Sequence, residues 1–155
     1  MSTFVPADPV RYETFMGRGS QHLAPAFVEL AGVVSGERVL DVGCGTGHLT
    51  LALRAAQAVP TGIDLSAPCV EYTRLRLGDP AVRLDVGDAL HPPYPDGTFE
   101  RTLSMLALDV MPDPQRALAE MRRVTHPGGT SAALVPDVRT ASSLRSCVAE
   151  ASCSR

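Results

Sequence analysis

Residues 39–47, Val-Leu-Asp-Val-Gly-Cys-Gly-Thr-Gly, restrict what this chain can fold into more than any other stretch. An apolar run meets three alternate glycines, Gly43, Gly45 and Gly47, and Asp41 stands two places before the first. The pattern predicts a buried strand that breaks into a tight turn and opens a helix. Only glycine lets backbone N–H groups and a ligand come close at such a place. The spacing is Gly-x-Gly-x-Gly, whereas the dinucleotide fingerprint is Gly-x-Gly-x-x-Gly, and His48 stands where that fingerprint needs its third glycine. With Asp41 inside the strand as well, a nicotinamide-dependent oxidoreductase is the poorer reading of this turn.

Strand and helix patterns alternate around it. Residues 1–18 read as an irregular arm, and Leu23, Phe27, Leu30 and Ala31 recur at helical spacing over residues 20–32, with Pro25 starting that helix late or kinking it. Arg38–Val42 reads as the first strand, Thr46 to Ala58 as a helix and Val59–Asp64 as the second strand. Ser66 predicts the N-cap of a helix to Leu77, with Pro68 tolerated in its first turn. Val82, Leu84 and Val86 alternate with polar residues as a third strand. A loop over His91–Thr98 precedes an apolar fourth strand, Phe99–Leu108. Asp113 and Pro114 form an N-cap and first-turn pair for a helix to Thr125, His126–Gly129 is a stop, and Thr130–Val135 is a fifth strand. This alternation predicts an α/β fold: a doubly wound, mostly parallel sheet with helices on both faces. Ligands in such sheets sit beyond the carboxyl ends of the strands.

Two acids fall at those ends. Asp64, in Gly-Ile-Asp-Leu-Ser, closes the second strand, where a carboxylate can accept from both hydroxyls of a ribose, with Leu65 covering an adenine face. The plainer alternative is an acid stabilising the next helix dipole. Asp88, in Gly-Asp-Ala, follows the third strand, where an acid can accept from an adenine amino group while the Ala89 N–H donates to the ring. Taken alone, Gly-Asp-Ala is a common turn.

With Pro-Tyr-Pro-Asp-Gly-Thr-Phe-Glu and Arg-Val-Thr-His-Pro-Gly-Gly, these pieces resemble the successive motifs of class I S-adenosylmethionine-dependent methyltransferases of the small-molecule type. They stand in that family's order over residues 10–135. The resemblance implies a Rossmann-like methyltransferase fold and S-adenosyl-L-methionine as cofactor. It also implies cofactor contacts from Asp41, Gly43, Gly45, Gly47, Asp64, Leu65, Asp88 and Ala89. Tyr12 and Arg18 resemble a Tyr…Arg segment that in relatives closes over the cofactor's carboxylate. Asp41 would serve the cofactor's ammonium or the loop itself. The family's Phe-Asp is Phe99-Glu100 here. The implied activity is methyl transfer to an O, N or C nucleophile of a small molecule, and no side chain is forced as catalytic.

The end of the chain departs from the family, whose members add a helix and an antiparallel hairpin after the fifth strand. Residues 142–155 carry five of the 11 serines and two of the four cysteines, with no strand pattern. The reading divides the chain into a cofactor-binding domain over 1–137, with its arm and first helix in 1–36, and an atypical tail over 138–155 that lacks the hairpin. All 14 basic residues are Arg, as a GC-rich gene would give, so the change of composition suggests a frameshift or early stop. The alternative is a short helix with Leu144 and Val148 on one face. A truncated, non-catalytic cofactor-binding fragment is therefore a competing function, and a homodimer through an exposed sheet edge is the association it would favour. A net charge of −3 without a basic cluster argues against nucleic acid as a partner, and no apolar run is long enough to span a membrane. No secretory signal leads the chain and the cysteines form no zinc pattern, so a cytoplasmic location without a metal site is expected.

Overall fold

The computed structural model describes residues 5–136 with their side chains, and the backbone of residues 137 and 143–150. Its elements run α1 (Pro9–Leu30), β1 (Arg38–Val42), α2 (His48–Ala55), β2 (Val59–Asp64), α3 (Ala67–Leu77), β3 (Arg83–Val86) and β4 (Phe99–Met105). A 3-10 turn (Leu108–Val110), α4 (Pro114–Val124), β5 (Thr125–Asp137) and β6 (Ser143–Glu150) follow.

Six strands form one sheet in the order β3-β2-β1-β4-β5-β6. The first five are parallel, and β6 runs antiparallel on β5. Strand order reverses at β1, which lies between β2 and β4, so the crevice of a doubly wound sheet opens above the carboxyl ends of β1 and β4. Neighbouring residues of β1 serve opposite faces because side chains alternate along a strand. Val39 packs with Phe27 and Val28 of α1 and with Leu49 and Leu53 of α2. Leu40 packs with Ile63, Phe99 and, from α4, Ala117, Met121 and Val124. Both faces are covered, so beyond the exposed Arg38 at its start the strand is apolar except at Asp41.

Caps form where the sequence puts them. Ser66 Oγ accepts from Cys69 N–H, and Asp113 Oδ1 accepts from Arg116 N–H at 2.9 Å. Glu100, in place of the family's aspartate, binds Arg38 at the amino end of the sheet, far from the crevice, and these hydrogen bonds hold its carboxyl down at about 2.

Three expectations need correction. The arm is not irregular from residue 9 onward: α1 starts at Pro9, capped by Asp8 Oδ1 accepting from the N–H groups of Val10 and Arg11, and it runs through Pro25 as one helix of 22 residues. Gly17 and Gly19 weaken the helical signal just where this helix is longest. The stop over His126–Gly129 lies inside β5, as a register break between the pairs Phe99–Thr125 and Arg101–Thr130. Finally, Ser143–Glu150 is a strand and not a helix; it pairs with β5 from Ser143–Asp137 to Glu150–Thr130. Its residues do not alternate between apolar and polar, so pairing with β5 is what makes it a strand. The rest of the tail, 138–142 and 151–155, lies outside the described residues.

Candidate functional site

The site grows from the turn after β1. Gly43, Gly45 and Gly47 have φ of 75°, 51° and 89°. These left-handed angles let the chain reverse within five residues and deliver Gly47 as the N-cap of α2. At Gly43 the space is closed as well, since a Cβ there would lie 2.5 Å from the Cβ of Ala107. Gly43 N–H and Cys44 N–H both donate to the Ile63 carbonyl, at 2.9 and 3.1 Å, which ties the turn to β2. Asp64 completes the tie: its Oδ2 accepts from Gly45 N–H at 2.9 Å and its Oδ1 from Ser66 N–H at 2.8 Å. Thr73 of α3 donates to the Gly45 carbonyl at 2.8 Å.

Asp41 lies beneath this turn and is 1% exposed. Its Oδ2 accepts from Thr50 Oγ1 of α2 at 2.6 Å. Burial pushes its carboxyl up to about 7, against the pull of the Thr50 bond and with a further push from Asp64. The folded protein therefore holds a proton that the unfolded chain has released. The stabilisation is complete below the ordinary carboxyl range and is lost as pH rises through about 7. Urea unfolding should show the wild type losing stability across this window relative to Asp41→Asn, which does not titrate. Parallel curves would mean that Asp41 is ionised throughout.

Asp64 is also shifted upward by burial, opposed by the N–H groups of Ser66 and Gly45. Cys44 is buried beside Val70, Val82 and Leu84, and burial pushes its thiol up as well. Its backbone makes the turn and its sulfur fills the core.

Three connected spaces surround the turn. A cavity of about 170 Å³ is bounded by Asp64, Leu65, Asp88 and Ala89 on one side and by Ala107, Val110 and Met111 on the other. Asp88 Oδ1 accepts from Leu90 N–H at 2.9 Å, which aims the loop into this cavity. A crevice of about 20 Å³ lies over Asp41, Gly43–Leu49 and Leu106. A chamber of about 760 Å³ shares Gly43, Asp64, Ala107 and Val110 with the first cavity, and Tyr12, Gly43, Gly45 and Leu106 with the crevice. Phe15 and Met16 of α1, Asp109 and Pro136 extend its walls. Leu106 has φ of 57°, a conformation that an ordinary side chain adopts only at a cost, and it stands where crevice and chamber meet.

Eight of the nine residues expected to hold the cofactor thus converge. Arg18 does not: it lies on α1 in a groove with Val10, Thr14, Gln21 and Tyr72. Tyr12 does converge, its ring lying against Gly45, and burial followed by the charge of Asp64 pushes its hydroxyl up to about 12. Sequence reasoning missed Val110 and Met111, whose only signal was an apolar run continuing past the fourth strand. No group of three or more metal-ligating side chains occurs among the described residues, and no helix there is long and apolar enough to cross a membrane.

Residues 40–133 match the model of a family described as methyltransferase domain. The chain is 33% identical over 119 residues to methyltransferase GfsG of Streptomyces halstedii, covering 74% of this chain and 43% of that protein. It is 40% identical over 121 residues to the ubiquinone/menaquinone biosynthesis C-methyltransferase UbiE of Cupriavidus pinatubonensis, covering 74% and 49%. Among solved structures, the cyclase SpnF superposes with a TM-score of 0.68 at 34% identity, over 74% of this chain and 44% of that one. The chain spans less than half the length of these relatives. Sequence match, sheet order and glycine turn agree: this chain belongs to the methyltransferase-domain family, with the class I, S-adenosylmethionine-dependent fold.

Proposed function

We propose that this chain binds S-adenosyl-L-methionine and transfers its methyl group to an O, N or C nucleophile of an apolar small molecule. One observation carries the reading: the nucleoside-sized cavity beside Asp64 opens, past Gly43, into a larger and mainly apolar chamber. The residues present fit the cofactor. Asp64 keeps free lone pairs for two ribose hydroxyls, and Leu65 with Val110 and Met111 makes two apolar walls for a flat ring. Asp88 and the Ala89 N–H suit an adenine edge, and the three glycines leave room for the methionine end. When bound, the cofactor supplies an electrophilic methyl group, so the reactivity is its own.

The protein's part is to bind, orient and exclude water. Tyr12, Phe15, Met16 and Leu106 wall the chamber in which an acceptor would be aligned. Orientation of this kind is worth about 7–11 kcal/mol. Asp109, in the same wall, is available to hold an acceptor's proton. S-adenosylhomocysteine at 100-fold over its dissociation constant should stabilise the fold by about 2.7 kcal/mol. No thermal shift would defeat the proposal.

A second reading draws on the likeness to the cyclase SpnF and on the short span shared with relatives: a cofactor-binding scaffold that transfers no methyl group. Methyl-labelled cofactor separates the two, since label appearing in an acceptor excludes the scaffold. A cytoplasmic location belongs to the same proposal, supported by the free thiols of Cys44 and Cys69. A partner other than nucleic acid fits the charge of −3. A homodimer would form on β6, whose described pairing is with β5 alone.

A further inference from the structure

Helix α1 is made of two unlike halves. Beyond Ser20 it is anchored, with Ala24, Phe27 and Val28 buried. Before Gly17 it carries chamber residues and is poorly covered; Phe15 is 87% exposed. Gly17 and Gly19 lie between the halves. Gly17 has a steric reason, because the Glu13 carboxylate lies where its Cβ would be and a side chain there would displace it. Gly19 has none: nothing stands within 4 Å of a Cβ built there. A glycine inside a helix without a steric reason weakens it, and here the weak point adjoins the half that walls the chamber.

Specific bonds hold that half down. Glu13 Oε1 meets His48 Nε2 at 2.7 Å and accepts from Arg76 Nη1 at 3.2 Å. His48 is the first residue of α2, directly after Gly47, and Arg76 lies in the last turn of α3. Arg76 Nη1 also donates to the carbonyl of Thr46, within the glycine turn, at 3.3 Å. Upstream, Ser66 Oγ donates to the Pro6 carbonyl at 2.5 Å. The side chain next to Glu13, Tyr12, is thereby held on Gly45.

We infer that Glu13, His48 and Arg76 are positioning residues of this site, latching the first half of α1, hinged at Gly17–Gly19, onto the glycine turn. The inference rests on the cofactor reading for its purpose and not for its detection. Closing the latch seats Tyr12 on the turn and brings Phe15 and Met16 over the chamber. Opening it admits ligand. Glu13 and Arg76 line neither the nucleoside cavity nor the chamber nor the crevice, and only His48 borders the crevice, so the effect of the two charged residues is transmitted through the helix.

Glu13→Gln keeps the size of the side chain and removes its charge. Hydrogen exchange of the unliganded variant should rise about five- to ten-fold over residues 12–16 and stay unchanged over 22–30, a partly exposed, charge-assisted pair being worth that much. Titration with S-adenosylhomocysteine should show affinity falling by a similar factor. Arg76→Gln should act in the same direction, and the double variant should be little worse than either, because the residues act as a unit. Gly19→Ala should slow both association and dissociation of S-adenosylhomocysteine by stiffening the hinge, which a purely structural role would not do. Wild-type exchange over residues 12–16 in both charge variants would overturn the latch. Raised exchange with unchanged affinity would overturn its positioning role. If Glu13→Gln does not fold, Arg76→Gln and Gly19→Ala decide in the same way. A wild type that ignores S-adenosylhomocysteine defeats the cofactor reading alone, and exchange in the unliganded variants still judges the latch.

Discussion

Asp64→Ala should abolish the stabilisation that S-adenosylhomocysteine gives the folded protein. The proposed ribose contact would disappear, and so would the acceptor for Gly45 N–H and Ser66 N–H. A carboxylate that binds both a sugar and the turn supporting the rest of the ligand couples two losses. Charge-assisted bonds are the strong ones. We expect affinity to fall by about 100-fold or more, erasing the shift of about 2.7 kcal/mol that a saturating concentration gives the wild type. The unliganded protein should also lose about 1–3 kcal/mol, because two backbone donors are left without a partner. Asp64→Asn retains one acceptor oxygen and should fall between. Calorimetric titration of the three proteins checks this, and an unimpaired Asp64→Ala would remove ribose from the assignment.

Gly47→Ala should produce the largest loss of stability of any single methyl added to the turn. Its φ of 89° lies outside the range that side chains tolerate, which costs about 1–2 kcal/mol. The added methyl would also run into the side chain of Thr73, which is fully buried and has nowhere to move. Overpacking of this kind costs about 1–3 kcal/mol. Displacing Thr73 also breaks its hydrogen bond to the Gly45 carbonyl. A total of about 2–5 kcal/mol, read from urea unfolding, is a large share of a small domain's stability. Gly19→Ala in α1 is the contrast, because its Cβ meets open space.

Most of the sheet and the cofactor side of the site could be read from residues because the same residues carry both signals. Asp41, Gly43, Gly45 and Asp64 mark strand ends by pattern and the proposed ligand contacts by chemistry, and the structure puts them around adjoining pockets. What escaped was set by tertiary context. Residues 9–18 look irregular because their glycines oppose helix, yet Asp8 caps them and Glu13 ties them down. Arg18 shares a segment with Tyr12, but six residues of helix carry the two side chains into different pockets. Ser143–Glu150 has no inherent pattern, and its neighbour β5 defines it as a strand. Val110 and Met111 face the cavity only because the chain leaves β4 through the unusual turn at Leu106.

That turn has a consequence for anyone who would harden this protein against heat. Replacing Leu106 with glycine is the obvious repair for a backbone bent the wrong way, and a screen for melting temperature would select it wherever the relief exceeds the lost side-chain burial and the added chain entropy. The same exchange deletes the partition between crevice and chamber. Ruggedness and aim compete at one address, and a search that scores only the first will discard the second.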